Sequence, residues 1–328
     1  MVENSTDKKQ QYAAHGKLMI SGEYLVLAGA KALAMPVCYG QTLRIEPLNS
    51  DTHKLTWKTL VKGQPWLNIV FQGEELLPHT NKPLSDEQSS ALHFLQGVLQ
   101  EAKRLNPAFL SGKHDMKAEA DIDFDLRWGL GSSSSLIANI ASWADINPFD
   151  LFFRVSQGSG YDVACAGIRV PILYHYQGRY RYPGIEPVSF NPSFRGQIVF
   201  IYRGRKQNSA DSVARFDRRN TSAEAVREIS GISQQMAASG NLNDFMGLMR
   251  RHEAIISDVL QQQPVREGLF PDFPGAVKSL GAWGGDFLMA AADLPTDDII
   301  RYFSTMGYGI AIPFQDMQIS HTNTTKDD

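Results

Sequence analysis

The segment from Arg127 to Trp143, RWGLGSSSSLIANIASW, constrains the fold more than any other part of the chain. Two glycines and four serines run into an apolar stretch with no proline or charge between them. Upstream, Met116 to Leu126 (MKAEADIDFDL) alternates as a half-exposed strand does. Downstream, Leu136, Ile140 and Trp143 fall on one helical stripe, and Ile137, Ala141 and Ala144 on its neighbour. The predicted order is strand, Gly/Ser loop, amphipathic helix. A flexible linker does not lead straight into an amphipathic helix. At the amino end of a helix, backbone N–H groups and the positive end of the dipole face outward. Glycine there lets a phosphate approach the backbone, and serine hydroxyls add donors or meet Mg²⁺. On this stretch alone, a helix cap built from surplus serines is an equally good reading.

The chain of 328 residues has room for two domains, and 43% hydrophobic residues supply a substantial core. A net charge of -3 with interspersed signs argues against a nucleic-acid partner. Cys38 and Cys165 lie far apart, with no CxxC and no histidine pair nearby, so two buried thiols are expected rather than zinc or a disulfide framework. The eight histidines show no metal-ligand spacing. The polar start, MVENSTDKKQQ, lacks the apolar core of a signal peptide, and no apolar run approaches the roughly 20 residues that span a bilayer. A cytoplasmic protein with a small-molecule substrate is expected, with no nucleic-acid or membrane partner; the oligomeric state stays open, a homodimer included.

Apolar and β-branched patches broken by Gly22, Gly29 and Pro36 predict strands and turns over Gly16 to Leu48. Alternation over His53 to Gly73 predicts a hairpin turning near Gly63 to Pro65. Ser85 to Leu105 is predicted helical, with Ser85 and Gln88 as a capping box. A short helix over Pro148 to Gln157 and a strand over Val170 to Tyr176 follow. Past a domain boundary placed between Pro187 and Gly196 comes a strand in GQIVFIYRG. Helices are predicted over Ser222 to Ala238, Leu242 to Leu260, Asp272 to Leu280 and Thr296 to Met306, with strands at Gly284 to Ala291 and Tyr308 to Pro313. Met236, Met246 and Met249 are read as core.

Three segments stand in a telling order: HGKLMISGEYLVLAGAKALAMPV (His15 to Val37), GLGSSSS with GSGYDVACA (Gly129 to Ser135, Gly158 to Ala166), and VKSLGAWGGDFLMA (Val277 to Ala290). In this order and at these separations they resemble the three signature motifs of the GHMP kinase superfamily, over about Gly16 to Ala291. GEYLVL, GSGYDVA and the GGD of the last motif look closest to phosphomevalonate kinases, mevalonate kinase-like proteins and a bacterial group with a Gly-Tyr-Asp-Ile-Ala-type motif. The resemblance implies an α+β, two-domain GHMP kinase fold: an N-terminal ribosomal S5-like ATP-binding domain over residues 1–190 and a C-terminal ferredoxin-like domain over 191–328. It implies ATP and Mg²⁺ as cofactors. It also implies transfer of the ATP γ-phosphate to an alcohol or phosphate of a small acidic metabolite, with mevalonate or phosphomevalonate favoured. A catalytically silent binding or regulatory protein, a sugar kinase and a decarboxylase cousin are the competing readings.

On the same resemblance, Gly129, Leu130, Gly131, Ser132, Ser133, Ser134 and Ser135 wrap the ATP phosphates, with Ser132 or Ser133 meeting the metal. Asp162 matches the family's catalytic base or hydroxyl-orienting aspartate, against the alternative of a helix cap. Lys17 matches the lysine that keeps such an aspartate ionised, against a solvated strand end. Gly281, Gly284 and Gly285 match the third motif and close the nucleotide site. Asp286 is a substrate or metal contact or a polar strand start, and Glu23 and Tyr24 are placed near the acceptor. GRKQNSADSV (Gly204 to Val213) resembles the family segment that puts Lys206 and Ser209 at phosphates or an acidic substrate, with Arg203 and Arg205 making that patch cationic; a solvated basic turn is the alternative. Two departures stand out. Trp283 replaces a glycine of the third motif, and the region ahead of Asp162, NPFDLFFRVSQ, offers only Asp150 where the mevalonate kinase-like pattern has a metal-binding glutamate.

Overall fold

The computed structural model describes residues 9–112, 114–204, 216, 221–281, 283 and 286–320. Two compact units divide the chain. The first comprises residues 1–16, 39–126 and 131–156; the second comprises 17–38, 127–130 and 157–328. Strands β1 (Gln10–Ser21) and β2 (Lys31–Pro47) run through both.

In the first unit, β3 (Lys54–Val61) and β4 (Gln64–Gln72) form the predicted hairpin. Its two-residue turn uses Lys62 (φ 52°) and Gly63 (φ 73°), and a pair of positive φ values is what a tight hairpin's twist requires. The short β5 (Leu77–His79) pairs with β4. Helix α1 (Asp86–Leu105) starts at Ser85, which makes both bonds of the capping box with Gln88; Asp86 and Glu87 open it and Lys103 and Arg104 close it, as its dipole favours. Strand β6 (Met116–Ile122) is antiparallel to the later part of β2 and parallel to β3. Helices α2 (Ser132–Trp143) and α3 (Pro148–Val155) follow. The Asn139 amide, buried on α2, donates to the Gln41 carbonyl of β2 at 3.0 Å and fixes the helix against the sheet.

In the second unit, α4 (Tyr161–Ala166) leads to β7 (Ile172–His175), antiparallel both to the first residues of β2 and to β8 (Gly184–Pro187). Then come β9 (Ile198–Tyr202), α5 (Ala223–Ala237), α6 (Leu242–Leu260), α7 (Val265–Leu269), β10 (Ala276–Ser279), β11 (Phe287–Ala291), α8 (Thr296–Thr305), β12 (Ala311–Pro313) and α9 (Phe314–Met317). The last four strands form an antiparallel sheet in the order β10-β11-β9-β12. Its strand–helix–strand–strand–helix–strand order is the ferredoxin-like arrangement. Phe270, Phe273, Ile299 and Phe303 pack with Val199, Ile201 and Leu288 into its core. Met236, Met246 and Met249 are buried as expected.

Two expectations fail. The helix predicted over Asp272 to Leu280 is strand β10, completely buried and paired residue by residue with β11. Pro274 and Gly275 break any helix ahead of it, and the bond from β11 leaves Ala276 to Ser279 no helical alternative. Cys165 is a buried thiol, but Cys38 is exposed, with its Sγ–H donating to the Asp316 carbonyl at 3.0 Å.

Candidate active site

Strand β1 carries Lys17, and the lysine holds the Gly129–Leu130 segment at two points. Its backbone N–H donates to the Leu130 carbonyl at 2.8 Å and its Nζ to the Gly129 carbonyl at 2.9 Å. Gly129 sits at φ 67°, and the Asp286 carboxylate lies over its α-carbon. A methyl group on Gly129 would come within 2.5–2.7 Å of the three carboxylate atoms. Asp286 itself, at φ 51°, is a non-glycine residue in the left-handed region. The Tyr161 ring lies 5.5 Å from Lys17 Nζ, and Asp162 follows it in the first turn of α4. The three motif regions of the second unit thus meet at one ammonium group.

Burial opposes the Lys17 charge, but Tyr161, Asp286 and Asp162 outweigh it and raise its pKa above that of an ordinary lysine. Burial lifts the Asp162 pKa above the usual aspartate value, against the pull of Lys17 and the Val163 N–H, which donates to Oδ1 at 3.1 Å. Burial also pushes the Tyr161 phenol up to about 12, so it stays protonated. A lysine fixed as a cation beside a carboxylate with raised basicity is an arrangement suited to offsetting negative charge and accepting a proton.

Beyond Lys17, β1 ends in a turn. Gly22 (φ 100°) is required there, since a side chain would run into Ala32 Cβ at 2.6 Å. Glu23, expected beside the acceptor, is 1% exposed: its Oε1 takes the ammonium of the fully buried Lys278 on β10, and its Oε2 lies 3.0 Å from His252 Nε2 on α6. The Gly22 N–H donates to the same Nε2 at 3.0 Å. Against the cost of burial, the Lys278 ammonium holds the Glu23 carboxyl down at about 2, while burial and Lys278 bring His252 down to about 4 and leave its Nε2 free to accept the Gly22 N–H. Neighbouring Glu253 accepts from the Ser279 N–H and hydroxyl at 3.2–3.3 Å, and burial raises its pKa to about 7. Tyr24 (φ 60°) comes next, and its hydroxyl accepts the Trp283 backbone N–H at 3.2 Å.

In the first unit, Gly131 (φ 95°) precedes α2, and the four serines divide into two pairs. Ser134 Oγ donates to the Gly131 carbonyl at 2.8 Å, and the buried Ser135 hydroxyl bonds the Ser132 carbonyl and Gln41. Ser132 is half-buried and Ser133 exposed, and neither hydroxyl has a bonding partner among the described residues. A twelve-residue helix with two open hydroxyls at its amino end is a donor set that fits a phosphate and a hard cation. Gly281 sits at φ 67°, whereas Gly284, Gly285, Lys206, Ser209 and Arg205 lie outside the described residues. Among the described residues no group of three or more His, Cys, Asp or Glu side chains is placed to hold a metal. Sequence reasoning passed over Tyr161, Lys278 and His252. The first is flagged only by its place in GSGYD, and the other two carry no local signal.

The α+β fold is that of the GHMP kinases. In particular, it matches L. major mevalonate kinase in complex with R-mevalonate (TM-score 0.65, 15% identity, 92% of each chain). It also matches the phosphomevalonate kinase of Streptococcus pneumoniae in complex with phosphomevalonate and AMPPNP (TM-score 0.66, 15% identity, 92% of this chain and 99% of that one). The galactokinase of Lactococcus lactis complexed with galactose is similar at TM-score 0.57 and 12% identity, over 93% and 92% of the two chains. No protein-family model matches the sequence, and no curated protein matches it. Among the described residues no helix is long and apolar enough to cross a membrane.

Proposed function

We propose that the protein is an ATP-dependent phosphotransferase acting on a small acidic metabolite, with mevalonate or phosphomevalonate the favoured acceptor. The observation that carries this reading is the meeting of Lys17, Gly129, Tyr161–Asp162 and Asp286 around one ammonium group. The ferredoxin-like order of β9 to β12 supports a C-terminal domain over 191–328, with residues 1–190 as the ATP-binding S5-like domain. Bound Mg·ATP would supply the phosphoryl group and the charge neutralisation that such transfer needs. Gly131 and the amino end of α2 bind phosphate oxygens, and Ser132 or Ser133 offers a hydroxyl to the cation. With an alcohol acceptor, Asp162 would orient the hydroxyl and take its proton at a carboxylate oxygen as that oxygen bonds to the γ-phosphorus and the bond from the phosphorus to the departing ADP breaks; a phosphate acceptor would attack through an oxygen that is already ionised. Lys17 offsets the negative charge that develops, and it keeps Gly129 in place through the bond to its carbonyl. Tyr161, neutral and packed on Lys17, shields that charge from water.

Trp283 favours a second reading, a binding or regulatory protein that does not turn over. ADP release from Mg·ATP with mevalonate, phosphomevalonate, homoserine and galactose separates the readings. Turnover with one acceptor, lost in D162N, establishes the kinase. Nucleotide binding without turnover of any of the four, or carbon dioxide release, moves the assignment to the silent protein or the decarboxylase.

A further inference from the structure

The third motif carries the chain's sharpest departure from the pattern it otherwise follows, Trp283 in place of glycine. The side chain is 6% exposed, and its indole N–H is buried with no acceptor among the described residues. An indole nitrogen only donates, and buried donors in folded chains are nearly always paired. Gly281 and Asp286, described residues on either side of Trp283 in the sequence, lie close together near Gly129. A side chain on Gly281 would lie 3.9 Å from Asp286 Oδ2, and Asp286 rests on Gly129, whose carbonyl accepts from Lys17. On the other side, the Trp283 backbone donates to Tyr24, whose ring packs against Phe216 at 5.5 Å and whose neighbour Glu23 is fixed by Lys278.

We propose that the Trp283 indole N–H is a ligand-binding donor of this site, and that it takes an anionic oxygen of a phosphate or carboxylate on the bound small molecule. The departure from glycine then adds a contact instead of removing one. An anionic oxygen is the acceptor that best offsets drawing a donor out of water. A phenyl ring fills much of the same space without the donor, so Trp283→Phe isolates the hydrogen bond. The proposal rests on the phosphotransferase reading only for the source of that oxygen, which is either a nucleotide phosphate or the acid group of the acceptor.

The test uses the full chain with ¹⁵N-labelled indoles. The sequence has five tryptophans, and W283F assigns the resonance by its loss. Should W283F fail to fold, single Phe variants of the other four assign it by elimination. Inorganic phosphate, Mg·AMPPNP and mevalonate are titrated separately, with calorimetry alongside. The expected result is a downfield shift of the Trp283 indole proton with one of these ligands, and a roughly tenfold loss of that ligand's affinity in W283F with the others within about twofold. A response to Mg·AMPPNP assigns the oxygen to the nucleotide; a response to mevalonate assigns it to the acceptor acid. If Mg·AMPPNP binds while the Trp283 resonance stays in place throughout and W283F changes no affinity, the proposal is overturned and the kinase reading survives. If Mg·AMPPNP does not bind but inorganic phosphate moves the resonance, the kinase reading falls and the donor role stands. Absence of every response overturns both.

Discussion

At the residue scale, the site turns on how few groups share Lys17. Asp162→Asn keeps the shape and removes the carboxylate to which the proposed reaction assigns the proton. We expect kcat to fall by about 10²-fold or more while the affinity for Mg·AMPPNP stays within about threefold, measured by steady-state kinetics and calorimetry. A variant that retains near-normal turnover would remove Asp162 from the base role. Because burial raises the Asp162 pKa, the acid limb of the kcat profile should lie above the range of an ordinary aspartate. Gly129→Ala places a methyl 2.5–2.7 Å from the Asp286 carboxylate and also penalises the φ of 67°, so either Asp286 or the loop must shift. Nucleotide affinity should drop at least about tenfold, and unchanged affinity would show that this contact is dispensable. That Lys17, Gly129 and Asp162 lie together could be anticipated because each belongs to a spaced motif. Tyr161 was not: its importance lies in packing on a lysine 144 positions away in the chain, and no local pattern encodes that.

At the element scale, β10 shows why one segment was misread. AVKSL contains residues common in helices, and a lysine among them suggests a solvated face. Lys278 is instead fully buried because Glu23, 255 residues earlier, supplies its counter-charge. By contrast, α6 matches its predicted span to the residue, since its start signal is local: the Asn241 side chain accepts from the Asp244 N–H. Removing one member of the buried pair leaves the other uncompensated. E23L or K278M should cost about 3–5 kcal/mol in chemical denaturation, and the double replacement E23L/K278M less than the sum of the two single changes. Glu253 gives the network a pH signature. Its folded pKa of about 7 exceeds the 4.5 of an ordinary glutamate, so the folded state favours the protonated form. Its ionisation therefore costs stability, fully above pH 7, and that cost is relieved as pH falls from 7 towards 4.5, by up to about 3 kcal/mol. Glu253→Gln removes the titration. The melting temperature of E253Q relative to the wild type should thus rise between pH 5.5 and pH 8.5; a flat difference would place the Glu253 pKa near its ordinary value.

For the whole molecule, the order of three short motifs was enough to anticipate the α+β fold that the solved kinases share, although identity to them is only 12–15%. What the motifs could not convey is how the chain is partitioned. The second unit takes residues 17–38 from near the start, four residues from the middle and residues 157–328. This arrangement sets a timetable for biosynthesis. When residues 17–38 leave the ribosome, Glu23 has neither Lys278 nor His252, and Ser21 lacks the Ser233 hydroxyl it bonds at 2.8 Å. A carboxylate destined for a dry interior must wait in solvent until nearly the whole polypeptide has been made. Any nascent chain stopped short of β10 carries an unfinished first motif, its Glu23 carboxylate still without the ammonium that lets it enter the interior.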